Sequence, residues 1–274
     1  MKFQVNTLVA ALVLAAAVPA QAAMTMPQTG DSSMTLSVFD RVNNVSAIFD
    51  LGKNYSDFSI IGTAFPDSNV DAQGTNFSWD LTSGDYATAW STFIGLVNPA
   101  NLQFAVTAAD NLGAGAGSRG IISTLNQPAV TPLTTNPIIG QIGTWGTYLA
   151  ESQSTAMLYE NHTTVENGGA VGNAGILSNT LNYFQQDKNN GNGSVSVGTV
   201  GQSLAVFQVV SGSSAFGATT SEIFANNAAF TFTANGALTY TTTPVVAVPE
   251  ADTWALMLSG LGFMGFVARR RKQS

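Results

Sequence analysis

The sequence contains no cysteine, which excludes disulfide bonds and cysteine-ligated metal centres. It contains one histidine, His162, within the polar stretch Glu160-Asn161-His162-Thr163, and no second ligand lies at helical spacing from it. We therefore expect His162 to be a loop or surface residue, and we predict no catalytic residue, metal or cofactor. Charged residues make up only 9% of the chain, against about 25% in an average protein, which is typical of a β-rich secreted surface protein.

Positive charges are scarce between the two ends of the chain. Residues 24–249 hold four cations, Arg41, Lys53, Arg119 and Lys188, against 14 Asp and Glu, which gives a formal net charge of −10. The net charge of the whole chain is only −7, because five of its nine cations lie outside this range. An acidic surface repels a phosphate backbone, so nucleic acid is excluded as a partner.

The N-terminus has the three regions of a secretory signal peptide. Lys2 supplies positive charge, residues 8–18 form an apolar stretch, and Ala20-Gln21-Ala22 provides the small residues at which signal peptidase cleaves. We therefore expect residues 1–22 to be removed by signal peptidase and the mature protein to begin near Ala23.

The C-terminus has the arrangement of a membrane-inserting tail. Residues 253–268 form an uncharged stretch of 16 residues, slightly below the roughly 20 that cross a membrane comfortably. Arg269, Arg270, Arg271 and Lys272 follow at once, and basic residues of this kind stay on the cytoplasmic side. A helix that is apolar on all sides and ends in cations makes a poor core helix, so we interpret residues 248–274 as a transmembrane tail.

Val248-Pro249-Glu250 precedes the apolar stretch, which opens with Thr253-Trp254-Ala255-Leu256 and contains several glycines. In this order of short motif, apolar run and basic cluster, the tail resembles the PEP-CTERM sorting signal, with Ala251 where that family often has proline. The resemblance implies that an exosortase recognises Val248, Pro249 and Glu250 in a Gram-negative bacterium that makes exopolysaccharide. It further implies that the tail holds the precursor in the inner membrane, and that the processed protein reaches the cell surface or the extracellular space.

Alternating apolar residues predict strands through much of the mature chain. The predicted strands cover residues 34–38, 45–51, 75–81, 102–106, 121–124, 203–210 and 228–240. The first two are expected to form a hairpin, and the last segment is expected to turn at Asn235-Gly236, the strongest short hairpin signal in the chain.

Three segments have helical spacing instead. Tyr86, Ala89, Trp90 and Phe93 predict a short helix after Ser83-Gly84-Asp85. Asn136-Pro137 is a typical helix start, and the apolar spacing that follows predicts a helix over about 137–159, with a further helical piece at 176–184.

Helices bracketed by strands at both ends predict an α+β domain: an antiparallel β-sandwich or curved sheet with a helical insertion at about 137–184. An all-β sandwich is the alternative. We place the domain at residues 23–240, a linker at 241–247 and the sorting tail at 248–274. A single core suits this length. The residues expected to be largely buried are Phe77, Trp79, Phe104, Ile142, Trp145, Phe207 and Phe232.

Signals for a ligand site are weak. Residues 113–118 are glycine-rich but lack the Gly-Lys-Ser/Thr ending of a phosphate loop, so we predict a flexible turn. Asp67, Asn69 and Asp71 alternate as in a calcium loop, but Ala72 stands where an EF-hand needs glycine, which favours an ordinary acidic turn.

Two further residue types would suit a protein that cleaves or binds polysaccharide. Glu151, Glu160 and Glu166 are candidates for the carboxylate pair of a glycoside hydrolase, although a solvated helix face explains them equally well. The tryptophans Trp79, Trp90 and Trp145 would stack on sugar rings if they were exposed, but each lies in an apolar periodicity that favours the core.

Three function classes follow, in this order. A non-enzymatic cell-surface or extracellular-matrix protein associated with exopolysaccharide requires only the targeting segments and a stable acidic fold. A carbohydrate-binding module requires exposed aromatic rings, and an envelope polysaccharide hydrolase requires a cleft with converging carboxylates.

Overall fold

The computed structural model describes residues 24–40, 42–43, 45–126, 128–130, 134–152, 163–164, 170–173 and 196–244. These residues contain three α-helices: α1 (Tyr55–Phe58), α2 (Ala87–Ile94) and α3 (Thr135–Ser152). Their twelve strands are β1 (Ser33–Asp40), β2 (Val45–Asn54), β3 (Asn76–Asp80), β4 (Leu102–Asp110), β5 (Gly120–Leu125), β6 (Thr163–Thr164), β7 (Ala170–Asn173), β8 (Gly198–Thr199), β9 (Ser203–Val210), β10 (Thr220–Ile223), β11 (Ala229–Phe232) and β12 (Ala237–Thr241).

All twelve strands join one sheet in the order β3-β12-β11-β9-β5-β4-β1-β2-β7-β6, with β10 added to β9 and β8 to β4. Every pair of neighbouring strands is antiparallel. The prediction of a β-rich antiparallel fold is therefore confirmed, whereas strands β6 and β7 lie within the stretch 137–184 that was predicted to be a helical insertion.

The central strands are buried on both faces. In β1, Met34, Leu36 and Val38 belong to one apolar cluster and Phe39 to another, and all eight residues of the strand are buried. We call these two clusters the inner and the outer cluster. Large residues of the inner cluster include Phe49, Phe58, Trp90, Phe104, Phe230, Phe232 and Tyr240. Large residues of the outer cluster include Phe39, Ile121, Ile138, Ile142, Trp145, Leu149 and Phe207.

The sheet curls around the inner cluster until distant strands meet. Phe104 of β4 and Phe232 of β11 have two strands between them, yet their ring centroids are 5.7 Å apart. In a flat sheet the two strands would lie about 14 Å apart, at three strand spacings. The indole N–H of Trp79 in β3 also donates to the carbonyl of Leu51 in β2 at 2.8 Å. The edge strand β3 thus reaches back to β2, and the sheet is nearly closed.

Helix α3 covers the opposite face of the sheet. Its residues Ile138, Ile142, Trp145 and Leu149 are fully buried and recur at intervals of three or four, as an amphipathic helix requires. Gly146 lies against the Gln28 side chain, where an added methyl group would clash. The start of the predicted helix agrees with α3, whereas residues 153–159 and the predicted piece at 176–184 lie outside the described residues.

Gln208 of β9 is a fully buried polar side chain that ties the segment after α1 to the sheet. Its Oε1 accepts hydrogen bonds from the backbone N–H groups of Ile60 at 2.8 Å and Ile61 at 2.9 Å. Its Nε2 donates to the Tyr55 hydroxyl at 2.6 Å, the Ser59 hydroxyl at 3.0 Å and the Ile61 carbonyl at 2.9 Å. Because both ends of the amide are satisfied, its burial is tolerated and the segment is held in place.

The predicted hairpin at Asn235-Gly236 joins β11 to β12. The Gly236 N–H donates to the Thr233 carbonyl at 3.0 Å, and the Thr233 N–H donates to the Ala237 carbonyl at 2.9 Å. Gly236 has a φ of +89°, which lies in the left-handed region, whereas the φ of Asn235 lies outside that region. This pattern is a turn followed by a glycine bulge rather than the two-residue turn that the Asn-Gly pair favours most.

Five of the seven residues predicted to be largely buried are fully buried, whereas Phe77 and Trp79 are only partly buried. Both lie on β3, whose alternating pattern is exposed and half-buried because it is an edge strand. Strand β10 was not predicted, because all four of its residues are exposed and it shows no apolar alternation.

Hydrogen bonding of the domain continues through Thr243. Its N–H donates to the Asn226 carbonyl at 2.7 Å, and its own carbonyl accepts from the Gly74 N–H at 3.0 Å. The chain divides into two compact units, Met1–Thr243 and Pro244–Ser274. Among helices of the described residues, none is both long and apolar enough to cross a membrane.

Replacing Gln208 with Leu should lower the free energy of unfolding by about 2–4 kcal/mol, because the amide groups of Ile60 and Ile61 and the Tyr55 hydroxyl would lose their partner in a buried site. Urea denaturation of the exported chain measures this. The control is Gln73→Leu at an exposed loop position, which should change the stability by less than about 0.5 kcal/mol. Equal effects of the two substitutions would contradict a structural role of the buried amide.

Gly236→Ala should destabilise the protein more than Gly201→Ala. Both glycines have a φ near +88°, at +89° and +87°, so each alanine carries a backbone penalty of about 1 kcal/mol. A Cβ at Gly236 would also lie 3.0 Å from the Trp90 ring, whereas nothing lies within 4 Å of one at Gly201. We expect about 1 kcal/mol of additional loss at Gly236, measured by thermal unfolding. Equal losses would show that Trp90 does not constrain the turn.

Candidate functional site

The residues predicted to direct export and processing lie outside the described part of the chain. These are Ala20 and Ala22 of the signal peptidase site, Val248, Pro249 and Glu250 of the sorting motif, and the cations Arg269, Arg270, Arg271 and Lys272. His162, Glu160 and Glu166 also fall outside it, and nothing is described of the Glu151 side chain. The structure therefore bears on function through the surface of the domain.

Three aspartates, Asp31, Asp50 and Asp110, accept hydrogen bonds from other groups of the domain. The Asp31 carboxylate accepts hydrogen bonds from the Ser56 N–H at 2.7 Å and the Ser56 hydroxyl at 2.9 Å. Asp110 accepts from the Leu112 N–H at 2.6 Å, and Asp50 from the Ser33 hydroxyl at 2.9 Å. Burial raises the pKa of both Asp50 and Asp110, and the negative charge of Asp31 adds to the shift at Asp110. These contacts fit turn stabilisation. Within the described ranges no three His, Asp or Glu side chains are placed to hold a metal ion.

The segment with calcium-like spacing is a hydrogen-bonded loop. The Asp67 carboxylate accepts from the Asn69 N–H at 2.8 Å, closing a local turn in which Asn69 has a φ of +53°. The Asp71 carboxylate accepts from the Ala225 N–H at 2.9 Å, and the Asp71 carbonyl accepts from the Asn226 side chain at 2.8 Å. Asp71 thus anchors this loop to residues 225–226, whereas Asp67 closes a turn within it.

The tryptophans of the domain do not form an exposed platform. Trp145 and Trp90 are 0% and 5% exposed, so neither ring can stack on an external sugar. Trp79 is partly buried, and its indole N–H is bonded to Leu51. Among the described residues, Phe216 instead has an exposed aromatic ring, 83% accessible to solvent. Sequence periodicity did not single it out, because Phe216 lies in a turn.

A cleft of about 240 Å³ is lined in part by Ala215, the residue before Phe216 in the chain, and we call it the Arg119 cleft. Three segments that are distant in sequence meet there: the glycine-rich loop up to Arg119, the start of α3, and the turn after β9. Its lining residues are Ala114, Gly115, Arg119, Thr135, Asn136, Ile139, Ser211, Gly212, Ser214 and Ala215.

Hydrogen bonds hold the walls of this cleft together. The Gly115 carbonyl accepts from the Ser211 hydroxyl at 3.2 Å, and the Gly117 N–H donates to the Ser211 carbonyl at 2.7 Å. The Thr135 hydroxyl accepts from the Gly212 N–H at 2.8 Å. The Asn136 N–H donates to the Ala215 carbonyl at 3.0 Å. The segment predicted as a flexible turn is therefore bonded to Ser211, the residue that follows β9.

Arg119 is the charged residue of the cleft lining. Its Nε donates to the Gly113 carbonyl, which fixes the plane of the guanidinium. Burial raises the pKa of Asp110, and the positive charge of Arg119 opposes that shift only in part. Local spacing could not identify this site, because Gly212 lies 77 residues from Thr135 and Ser211 lies 96 residues from Gly115 along the chain.

Comparison with known protein families gives a match in the C-terminal tail. Residues 247–272 match the family model described as the PEP-CTERM protein-sorting motif. No curated protein and no solved structure was found to match the chain. The match confirms the resemblance stated for residues 248–274, and it covers both the Val248-Pro249-Glu250 motif and the basic cluster. The chain therefore carries a PEP-CTERM sorting motif, which indicates an exported protein that is targeted by an exosortase and has a membrane-anchored precursor.

Proposed function

We propose that the mature domain is a non-enzymatic component of the cell surface or extracellular matrix, associated with exopolysaccharide. The observation that carries this proposal is the sorting motif at 247–272, which provides delivery to the outside without specifying any chemistry. The domain is acidic, with a formal net charge of −10 over residues 24–249, and its sheet is buried on both faces. Such a fold suits a stable, soluble matrix component.

The described carboxylates support a non-enzymatic role. A glycoside hydrolase of the usual kind needs one carboxyl group as acid and a second as base or nucleophile, facing each other across an open cleft. Asp31, Asp50 and Asp110 instead accept hydrogen bonds from Ser56, Ser33 and Leu112 within the domain. The Arg119 cleft has no acidic residue in its lining. No observation on these residues favours hydrolysis of a polysaccharide.

Carbohydrate binding is the second candidate function, and one observation favours it. Phe216 presents a ring that is 83% exposed, immediately after Ala215 of the cleft lining. An exposed aromatic residue next in sequence to the lining of a polar cleft suits a sugar, because such a ring covers apolar C–H groups while the cleft provides hydrogen bonds. In this form the role is compatible with a matrix component.

The sorting tail is proposed to act in two steps. The apolar stretch at 253–268 inserts into the inner membrane, and Arg269, Arg270, Arg271 and Lys272 keep the extreme C-terminus cytoplasmic. The exosortase then recognises Val248, Pro249 and Glu250 on the outer side of that membrane. Retention therefore precedes recognition.

Changing the four cations Arg269, Arg270, Arg271 and Lys272 to Gln should weaken both membrane retention and processing. Changing Pro249 and Glu250 to Ala should block processing while the precursor stays in the membrane. Immunoblots of membrane and extracellular fractions measure both outcomes, and Gln273→Ala beside the cations is the matched control that should behave as wild type. Equal amounts of mature-sized extracellular protein from the two variants would contradict this order of steps.

His162→Ala should leave folding, export and matrix association unchanged, because we assign no catalytic role to this histidine. The measurements are thermal unfolding, cell fractionation and polysaccharide-degrading activity of the purified chain. A hydrolytic activity that is present in the wild type and lost in the His162→Ala variant would show that the protein is an enzyme.

A further inference from the structure

We propose that the Arg119 cleft binds a sugar acid, with the ligand carboxylate on the Arg119 guanidinium and the sugar ring beside Phe216. The choice of ligand rests on the proposed association with exopolysaccharide. The site itself rests on the charge, size and rim of the cleft.

The charge of the lining differs from that of the domain around it. Residues 24–249 carry a formal net charge of −10, yet the ten residues of the lining include one arginine and no Asp or Glu. A planar guanidinium matches a carboxylate with two parallel N–H donors. Within the part of the chain that the structure describes, the Gly113 carbonyl accepts from one of its five N–H donors, the one on Nε, and that bond orients the side chain. The cleft thus favours an anionic group over a neutral or cationic one.

The first backbone N–H groups of α3 are not available to a ligand. Its first two backbone N–H groups are already bonded, Thr135 to the Gly217 carbonyl at 3.1 Å and Asn136 to the Ala215 carbonyl at 3.0 Å. Pro137 has no N–H to offer. Discrimination between an acid and its neutral ester should therefore come from Arg119.

The size and rim of the cleft select a single ring. A volume of about 240 Å³ lies below the roughly 300–1,000 Å³ of pockets for drug-sized ligands, so the cleft holds one small ring rather than an extended chain. Phe216 stands on a turn closed by the hydrogen bond from the Gly217 N–H to the Ser214 carbonyl, at 2.9 Å. The backbone that carries the ring is therefore ordered before a ligand arrives, which limits the entropy lost on binding.

Isothermal titration of the full chain in mild detergent tests the site, with galacturonic acid as ligand and its methyl ester as the uncharged control. We expect the ester to bind at least tenfold more weakly than the acid. Equal binding of the two, or no binding of the acid, would overturn the inference. Inorganic phosphate should not displace the acid at equal concentration, and displacement would overturn the assignment of a sugar acid.

Variants locate the site. Arg119→Gln should weaken binding of the acid at least tenfold, with folding checked by thermal unfolding. Because that change also removes the Gly113 contact, Ala114→Glu at the exposed rim provides a second test by adding a repelling charge, and it should weaken binding to the same degree. The matched control Ala72→Glu, in an exposed loop that forms no part of the lining, should bind as wild type. Equal affinities of the Ala114→Glu and Ala72→Glu variants would overturn the location.

A second pair of variants tests the contact between the ligand and the Phe216 ring. Phe216→Ala should weaken binding at least threefold, whereas Leu96→Ala, at another exposed apolar residue, should not change it. An unchanged affinity of the Phe216→Ala variant would overturn the role of the ring.

Failure of this inference is distinguishable from failure of the proposed function. Cell fractionation of the Arg119→Gln variant should show normal export and processing, because the sorting tail is intact. Normal matrix association of the wild type without binding of the acid would overturn the cleft inference alone, whereas retention of the wild type inside the cell would overturn the proposed function.

Discussion

Burial of both faces of the central strands is the constraint on which the domain depends, because no disulfide can hold it together. In β5 and β9 the adjacent residues Ile121 and Ile122, and Val206 and Phe207, belong to opposite clusters. Each large apolar side chain stabilises the fold by about 1.5–3 kcal/mol when it is buried, so both faces need a cover. Helix α3 covers one face. Curling of the sheet onto itself, with α1 and α2, covers the other.

The low charge of the sequence follows from the same constraint. A strand that is buried on both faces has no side that can hold a solvated charge, so its polar positions need groups that can be satisfied internally. The hydroxyls of Thr107 and Ser123 pair across β4 and β5 at 2.9 Å, and Gln208 satisfies both ends of its amide within the domain. Small hydroxyl and amide groups therefore replace the charges that an exposed sheet face would carry.

Local signals sufficed where the residues themselves are typical of a strand or mark the start of a helix. Strand β9 has the bounds that alternation predicted, Ser203–Val210, and α3 begins beside the Asn136-Pro137 signal. Strand β10 has four exposed residues and escaped prediction, because its position depends only on backbone pairing with β9. The Arg119 cleft could not be predicted either. Its cation, helix start and turn are brought together by the order of strands in the sheet, which no periodicity encodes.

The distribution of charge limits how such a domain can hold an anionic polysaccharide. Five of the nine cations lie in the two terminal segments, so residues 24–249 repel a polyanion at long range. At physiological ionic strength this repulsion fades beyond about 8 Å, whereas a guanidinium and a carboxylate interact at hydrogen-bond distance. Of the two cations whose surroundings are described, Lys53 lies over the Phe77 ring at 5.1 Å, and Arg119 lines an open cleft. Attachment to sugar acids therefore requires a local site, and Arg119 is positioned to provide it.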